Sequence, residues 1–171
     1  EEVQGEKALD WVRERNAATR QRLEAWPGFA ATRERILDVL DSRDRIPAIA
    51  RRGGFVYNFW QDAEHPRGLW RRTTLDDYRT PQPAWDSVLD LDALGRAEGE
   101  NWVWGGAVCL GPDYRRCLLR LSRGGADAQV IREFDLGARR FVDGGFQLPE
   151  AKSEVAWADA DTLYVGTDFG E

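Results

Sequence analysis

The sequence has no methionine, one histidine and two cysteines among its 171 residues. This scarcity excludes a structural zinc site, which takes four cysteine or histidine ligands. The acidic stretches at 76–77 and 159–161 lack the spacing of oxygen ligands in a calcium loop. We therefore predict no metal and no cofactor. Because the chain begins with two glutamates and lacks methionine, we also expect it to be a piece of a longer protein.

Long apolar runs and an excess of basic charge are also missing. No stretch approaches the ~18 apolar residues of a membrane-spanning helix, and no signal peptide is visible. The net charge of -6 disfavours nucleic acid or an anionic membrane as a partner. Acidic residues lie near each arginine pair, so we expect ion-paired or solvated strand ends; the pairs stand at 51–52, 71–72, 115–116 and 139–140. We predict a cytoplasmic location.

The two cysteines, Cys109 and Cys117, are too few for a disulfide framework. They flank a predicted turn, so pairing across a hairpin stays open. We expect free, mostly buried thiols, because unpaired cysteine behaves as a small hydrophobic residue.

The sequence begins with two amphipathic segments. Residues 6–43 are rich in good helix formers, and Trp26-Pro27-Gly28 interrupts them, because proline and glycine disfavour helix continuation. A second helix is predicted from Phe29 to Leu40, where apolar residues recur on one helical face. The first helix has only a narrow apolar stripe, so we expect it to dock onto another domain.

From residue 46 onward the periodicity changes to two, and we expect β-hairpins with no return to helix. Turn signals separate most of the strands. The predicted strands are 55–60, 68–74, 85–91, 101–110, 116–122, 129–136, 141–142, 154–157 and 162–166.

A weak repeat indicates how these strands are arranged. The endings Asp90-Leu91 and Asp135-Leu136 lie 45 residues apart, a spacing typical of a four-stranded propeller blade. We therefore predict a mainly β fold with an N-terminal helical segment. Residues 1–44 form that segment, and residues 45–171 form two to three four-stranded antiparallel blades of an incomplete propeller.

Several segments resemble the N-terminal part of the prolyl oligopeptidase family of serine peptidases. The first blade is similar at 53–61, 69–71 and 88–91, the second at 102–108, 112–118, 121–127 and 134–136, and the third at 151–157 and 161–165. The resemblance implies a seven-bladed ring that gates an α/β-hydrolase domain, on which residues 1–44 pack. It also implies hydrolysis of short peptides after proline.

The catalytic groups of such a peptidase are missing from the chain. The nucleophile would stand in a Gly-x-Ser-x-Gly elbow, with a histidine base and an aspartate. Ser122 comes nearest, but Arg120 and Leu121 precede it. His65 precedes Pro66 in a predicted turn, and we interpret it as a turn residue packing on aromatic neighbours. We predict no catalytic residue here, leave the substrate-binding residues unassigned, and expect no activity from the segment alone.

The eight tryptophans allow a second function. A stand-alone β-rich module for peptide or carbohydrate would use some of them as stacking platforms. We favour core packing, because propeller blades pack face to face through large side chains. Those tryptophans are Trp60, Trp70, Trp85, Trp102, Trp104 and Trp157. The partners expected of the segment are proline-containing peptides, the hydrolase domain, and a second copy paired through the open edge.

Overall fold

The computed structural model describes residues 5–168, which divide after Arg43 into two compact units. The first holds α1 (Glu6–Glu24) and α2 (Phe29–Asp41), which confirms the two predicted helices. Between them the amide of Phe29 bonds the carbonyl of Trp26 in a tight turn. Neither helix contains a buried residue.

The second unit opens with a four-stranded antiparallel sheet, here called blade 1. The chain order of its strands is also their spatial order. They are β1 (Ile49–Arg52), β2 (Phe55–Trp60), β3 (Leu69–Thr74) and β4 (Asp86–Asp90). The β1–β2 turn needs Gly53, whose φ of 57° is costly for residues with a side chain.

The next sheet, blade 2, has five strands, and β7 pairs with both β8 and β9. Its strands are β5 (Trp102–Cys109), β6 (Arg116–Arg123), β7 (Gln129–Asp135), β8 (Arg140–Phe141) and β9 (Gln147–Ala151). Blade 3 begins with the hairpin of β10 (Glu154–Asp159) and β11 (Thr162–Gly166).

The sheets pack face to face, with blade 2 in the middle. Alternate residues of β6 point to opposite faces, so Cys117 and Leu119 join Tyr57 and Trp70 of blade 1 in one cluster. Leu118, from the other face, packs instead with Ile131 and Val155 in a second cluster; its half-buried neighbours include Trp157, Leu163 and Val165. This stacking is the arrangement of successive propeller blades.

Four elements were not predicted, and two of them are helices, so the expectation of no return to helix was wrong. Thr74 caps α3 (Leu75–Tyr78), and Asp90 caps α4 (Leu91–Glu98) by accepting from the amide of Ala93. Each of these short helices directly follows a strand. The alternating pattern of the strand includes the capping residue, so the start of the helix was not recognised. Strands β1 and β9 have mostly exposed, weakly apolar residues, which gave no periodic signal.

The predicted repeat of propeller blades is correct, but the two positions that the sequence analysis aligned, Asp90 and Asp135, are not equivalent. Asp90 ends the fourth strand of blade 1, whereas Asp135 ends the third strand of blade 2. The equivalent positions are the starts of β1, β5 and β10, at Ile49, Trp102 and Glu154. Their spacing of about 50 residues is within the range of known propeller repeats. Helix α4 and strand β9 account for the longer period.

The two cysteines form a disulfide, which corrects the expectation of free thiols. Cys109 ends β5 and lies directly opposite Cys117 on β6, with the two Cα atoms 3.9 Å apart. The hairpin register therefore brings the two side chains together. Cys117 is fully buried, so the expected burial was correct for this cysteine.

The glycine pair Gly105-Gly106 lies within a strand rather than in a turn. It lies inside β5, where the register with β6 shifts between Trp104 and Gly106. Gly106 has a φ of 116°, typical of a glycine-containing bulge. A Cβ at Gly105 would lie 3.0 Å from both the Cβ and the carbonyl oxygen of Arg120 on the paired strand, so a side chain there would force these atoms to shift.

Glu133 carries a fully buried carboxylate between blades 2 and 3. One of its oxygens accepts from Arg116 Nε, and the other accepts from the amide of Phe146 at 2.9 Å. Arg116 also donates to the carbonyl of Ala160, next to blade 3. Because a buried charge is tolerated only with such partners, this network fixes β6, β7 and the start of blade 3 together.

We expect Glu133→Ala to lower the free energy of unfolding by about 3 kcal/mol, because it leaves Arg116 Nε and the amide of Phe146 without their acceptor. Glu154→Ala is the matched control: its carboxylate also pairs with an arginine of β6, Arg120, at 2.7 Å but is 82% exposed. That change should cost less than about 1 kcal/mol. Urea titrations of the two variants measure both values, and equal losses would contradict the role given to Glu133.

Candidate functional site

The only histidine lies in a turn built around one carboxylate. Asp62 Oδ1 accepts from the amides of Glu64 and His65 and lies 3.1 Å from His65 Nδ1, while Oδ2 accepts from Trp60 Nε1 at 2.9 Å. Burial opposes the charge, but these hydrogen bonds dominate and lower the pKa of Asp62 to about 2. The predicted turn position of His65 is confirmed, and its recorded partner is Asp62 rather than an aromatic ring.

No nucleophile accompanies this histidine in residues 5–168. Its hydrogen bonds there go to Asp62, and no hydroxyl or thiol contacts its ring. Ser122 lies buried in β6 on the other sheet, and Ser153 Oγ is 2.6 Å from Thr167 Oγ1. The structure brings together no triad among these residues. The sequence prediction that the chain holds no catalytic residue therefore stays a prediction.

The described part of the chain contains no cluster of three or more histidine, cysteine, aspartate or glutamate side chains suited to a metal ion. Nor does it contain a helix long and apolar enough to cross a membrane.

Aromatic rings fill the contact between blades 1 and 2. Phe59 and Trp104 stack with centroids 5.3 Å apart and planes at 4°, and Trp104 lies 5.1 Å from Trp70. Trp70 in turn contacts Tyr57 at 5.6 Å and Phe134 at 6.2 Å. These tryptophans hold two blades together, as the prediction of core packing required.

Two other tryptophans bind an arginine of their own blade. The guanidinium carbon of Arg71 lies 4.2 Å from the ring centroid of Trp60 and 4.4 Å from that of Trp85. Arg71 Nε donates to Asn58 Oδ1, and burial lowers the pKa of Arg71 to about 10. The cation occupies the ring faces that a sugar would need, which goes against a carbohydrate platform at these positions.

Polar contacts tie the blades at their margins. Arg139 of blade 2 donates to Asp86 Oδ1 on β4 at 2.8 Å, and Trp157 Nε1 of blade 3 donates to the Val108 carbonyl at 2.9 Å. Most of the arginine pairs behave as predicted, with a carboxylate beside at least one member. The ion pairs are Arg72–Asp86, Arg115–Asp135, Arg116–Glu133 and Arg139–Asp86.

The two N-terminal helices present a candidate docking surface. Trp11 is 62% exposed and Trp26 57%, unusual values for tryptophan. Other large apolar side chains of the two helices are exposed as well: Val12, Leu23, Ile36, Leu37, Val39 and Leu40. An exposed group of this size marks an interaction site in most proteins.

Sequence reasoning missed the charged residues that organise the turns and the interior of the propeller unit. Glu133 and Asp62 were unremarkable charged positions, and nothing distinguished Arg52, which contacts the Ala107 carbonyl of the neighbouring blade at 3.2 Å. One signal was available: a glutamate between apolar residues of a buried strand, as in Ile131–Phe134, predicts a paired internal charge.

The lowered pKa of Asp62 predicts a pH effect. A carboxylate with a depressed folded-state pKa contributes stability above its unfolded value of about 4, and that contribution is lost as the pH falls towards 2. We expect Asp62→Asn to reduce stability at pH 6, and the difference from wild type to shrink between pH 4 and pH 2. Thermal melts across this range measure it, with the exposed Asp161→Asn as control. A difference that does not change with pH would contradict the assignment.

Comparison with known proteins identifies the family. The model for the N-terminal β-propeller domain of prolyl oligopeptidase matches residues 1–168. An uncharacterized peptidase of Sinorhizobium fredii is 47% identical over 170 residues, covering 98% of this chain and 23% of the relative. An uncharacterized peptidase of Rickettsia prowazekii is 34% identical over 172 residues, covering 95% of this chain and 24% of the relative.

Solved structures agree with the sequence relatives. A post-proline cleaving enzyme from Rickettsia typhi superposes with a TM-score of 0.87 at 33% identity, over 95% of this chain and 25% of that one. A structure from work on two prolyl endopeptidases has a TM-score of 0.72 at 15% identity, over 100% of this chain and 27% of that one, and shows the fold alone.

This chain thus spans about a quarter of the length of the relatives it matches. The predicted incomplete propeller is confirmed by the family model and by the superposition on the Rickettsia typhi enzyme. The chain belongs to the prolyl oligopeptidase family of peptidases, of whose N-terminal β-propeller domain it is a part.

Proposed function

We propose that this segment is the start of the propeller in a serine endopeptidase that hydrolyses short peptides after proline. The observation that carries the proposal is the 33% identity and TM-score of 0.87 to a post-proline cleaving enzyme. The match of residues 1–168 to the family model supports this function over a stand-alone peptide or carbohydrate module.

In this proposal the domains keep the boundaries predicted from the sequence. Residues 1–44 pack on an α/β-hydrolase domain that lies outside this chain, and residues 45–171 form the beginning of the gate. The exposed Trp11, Trp26 and Leu40 support the first part, because burying such side chains contributes ~1.5–3 kcal/mol each. The stacked blades support the second part, since a ring built from them admits only short or unfolded chains.

The segment contributes no bond-breaking group. A serine peptidase needs its nucleophile within hydrogen-bonding reach of a histidine base, and His65 is held by Asp62 in a surface turn. The catalytic serine, histidine and aspartate belong to the hydrolase domain in this proposal. Residues 1–171 alone should therefore be inactive.

Peptide hydrolysis by the full-length protein tests the proposal. We expect cleavage of a short peptide after its single internal proline, and a loss of about 100-fold or more in kcat/KM when that proline is replaced by alanine. The same proline sequence placed within a folded protein should resist cleavage. Residues 1–171 alone should release no product from the short peptide.

Mass spectrometry of the products locates the cleaved bond. Equal cleavage after alanine and proline would overturn the specificity, and activity of the isolated segment would overturn the assignment of the catalytic groups to another domain. A full-length protein carrying the serine-to-alanine change in its Gly-x-Ser-x-Gly elbow is the control for contaminating peptidases.

We also propose that the isolated segment associates with itself. Within residues 5–168, strand β11 pairs only with β10, and such an unpaired edge binds further strands. The exposed helix faces add apolar surface. We expect sedimentation of the isolated segment at high micromolar concentration to show dimers or larger species. The full-length protein should not associate through this edge. A monomeric segment under these conditions would contradict the proposal.

The cytoplasmic location stays a prediction from the sequence. The Cys109–Cys117 disulfide disfavours this location, because disulfides in most organisms persist in oxidising compartments.

A further inference from the structure

A cavity of about 300 Å³ lies between blade 1 and blade 2. Its walls come from β1, β2 and β3 on one side and from β5 on the other. They include Ile49, Arg52, Tyr57, Trp70, Trp104 and Ala107. The volume is at the small end of ligand sites and suits a group the size of one or two amino-acid residues.

Arg52 is the single cation in this cavity wall. Its Nη2 donates to the Ala107 carbonyl at 3.2 Å, and its guanidinium carbon lies 5.2 Å from the Tyr57 ring centroid and 5.8 Å from that of Trp70. A guanidinium carries five N–H donors. Within residues 5–168, no carboxylate pairs with Arg52, and its other donors have no protein acceptor.

Four other half-buried arginines of the propeller unit are paired with an anion, whereas Arg71 lacks an ion pair but donates to Asn58 Oδ1 and lies over two tryptophan rings. Each of the four holds a carboxylate within ion-pair distance: Arg72–Asp86, Arg116–Glu133, Arg120–Glu154 and Arg132–Glu98. Burial lowers the pKa of Arg52, with only tyrosines acting against it. Arg52 is half-buried, holds no anion and directs its free donors into the cavity, so this position favours an anionic group from outside.

The cavity walls determine which anion fits. Apart from Arg52 and the Asn58 amide, the lining is aromatic or aliphatic. A small inorganic anion would pair with the cation alone, whereas a carboxylate on an apolar residue also packs its side chain on the apolar wall. Its two oxygens match the paired donors of a guanidinium.

We propose that the cavity binds the C-terminal residue of a short peptide, with the carboxylate on Arg52 and the apolar side chain against Trp70 and Trp104. The peptide nature of the ligand rests on the proposed function, because substrates and products of a peptidase carry this group.

Isothermal titration of the full-length protein with N-acetyl-leucine and with N-acetyl-leucinamide tests the proposal. The two probes differ only in the charge of the C-terminus, and neither contains proline. We expect the acid to bind at least about tenfold more tightly than the amide. Arg52→Gln should abolish that preference.

Arg51→Gln is the matched control, because Arg51 is exposed and its recorded hydrogen bond goes only to the Gly53 carbonyl. It should keep the wild-type preference. Thermal melts verify that both variants fold. If Arg52→Gln does not fold, the comparison of acid with amide binding to the wild-type protein still tests the proposal.

Three results would overturn the proposal: equal binding of acid and amide, equal effects of Arg51→Gln and Arg52→Gln, or displacement of N-acetyl-leucine by inorganic phosphate at equal concentration. The readout is separate from hydrolysis. Acid-selective binding in a protein that does not cleave after proline would contradict the proposed function alone, and cleavage without such binding would contradict only this inference.

Discussion

Burial of both faces of strand β6 is the constraint on which the rest of the propeller unit depends. Cys117, Leu119 and Leu121 point towards blade 1 and the helix α4, while Leu118 points towards blade 3. All four are fully buried. A strand buried on both faces has no solvent side, so blade 2 cannot exist without neighbours on each side. The stacking of blades follows from this one strand.

Two-sided burial explains why charged groups inside the unit are paired so completely. Glu133 lies on β7 among apolar neighbours, and it keeps its charge because Arg116 and the Phe146 amide bind both oxygens. Trp157 brings an indole N–H into the next contact and donates it to Val108. Trp157 and Arg116 each donate to a carbonyl oxygen across a contact between blades 2 and 3, at Val108 and Ala160. Polar pairing thus fixes the alignment of blades that apolar packing alone would leave free to slide.

The sequence predicted the elements that are periodic and failed where a different signal decides. Strand β2 was predicted residue by residue, because Phe55–Trp60 combines aromatic and branched side chains with clear flanking glycines. Helix α4 was missed because its signal is a cap: Asp90 ends a strand and begins a helix at once. The disulfide depended on the register of β5 against β6, which a sequence does not contain. The Arg52 cavity depended on two strands from different blades, 50–57 residues apart in sequence, and local patterns carry no information at that range.

The blades meet through apolar clusters with polar contacts at their margins, and apolar side chains are exposed on the two N-terminal helices. Trp11 and Trp26 remain exposed on the helices, and β11 has an unpaired edge in the described residues. Arg52 is the opposite case, a cation without an anion inside a finished contact between two blades. In the proposed function, the exposed apolar side chains of the helices pack on a hydrolase domain outside this chain. Blades 1 and 2 are already in place around Arg52, so further blades do not have to supply its partner. Arg52 thus faces an open cavity whose walls come from two blades that are both present, and this geometry supports the ligand proposed for it.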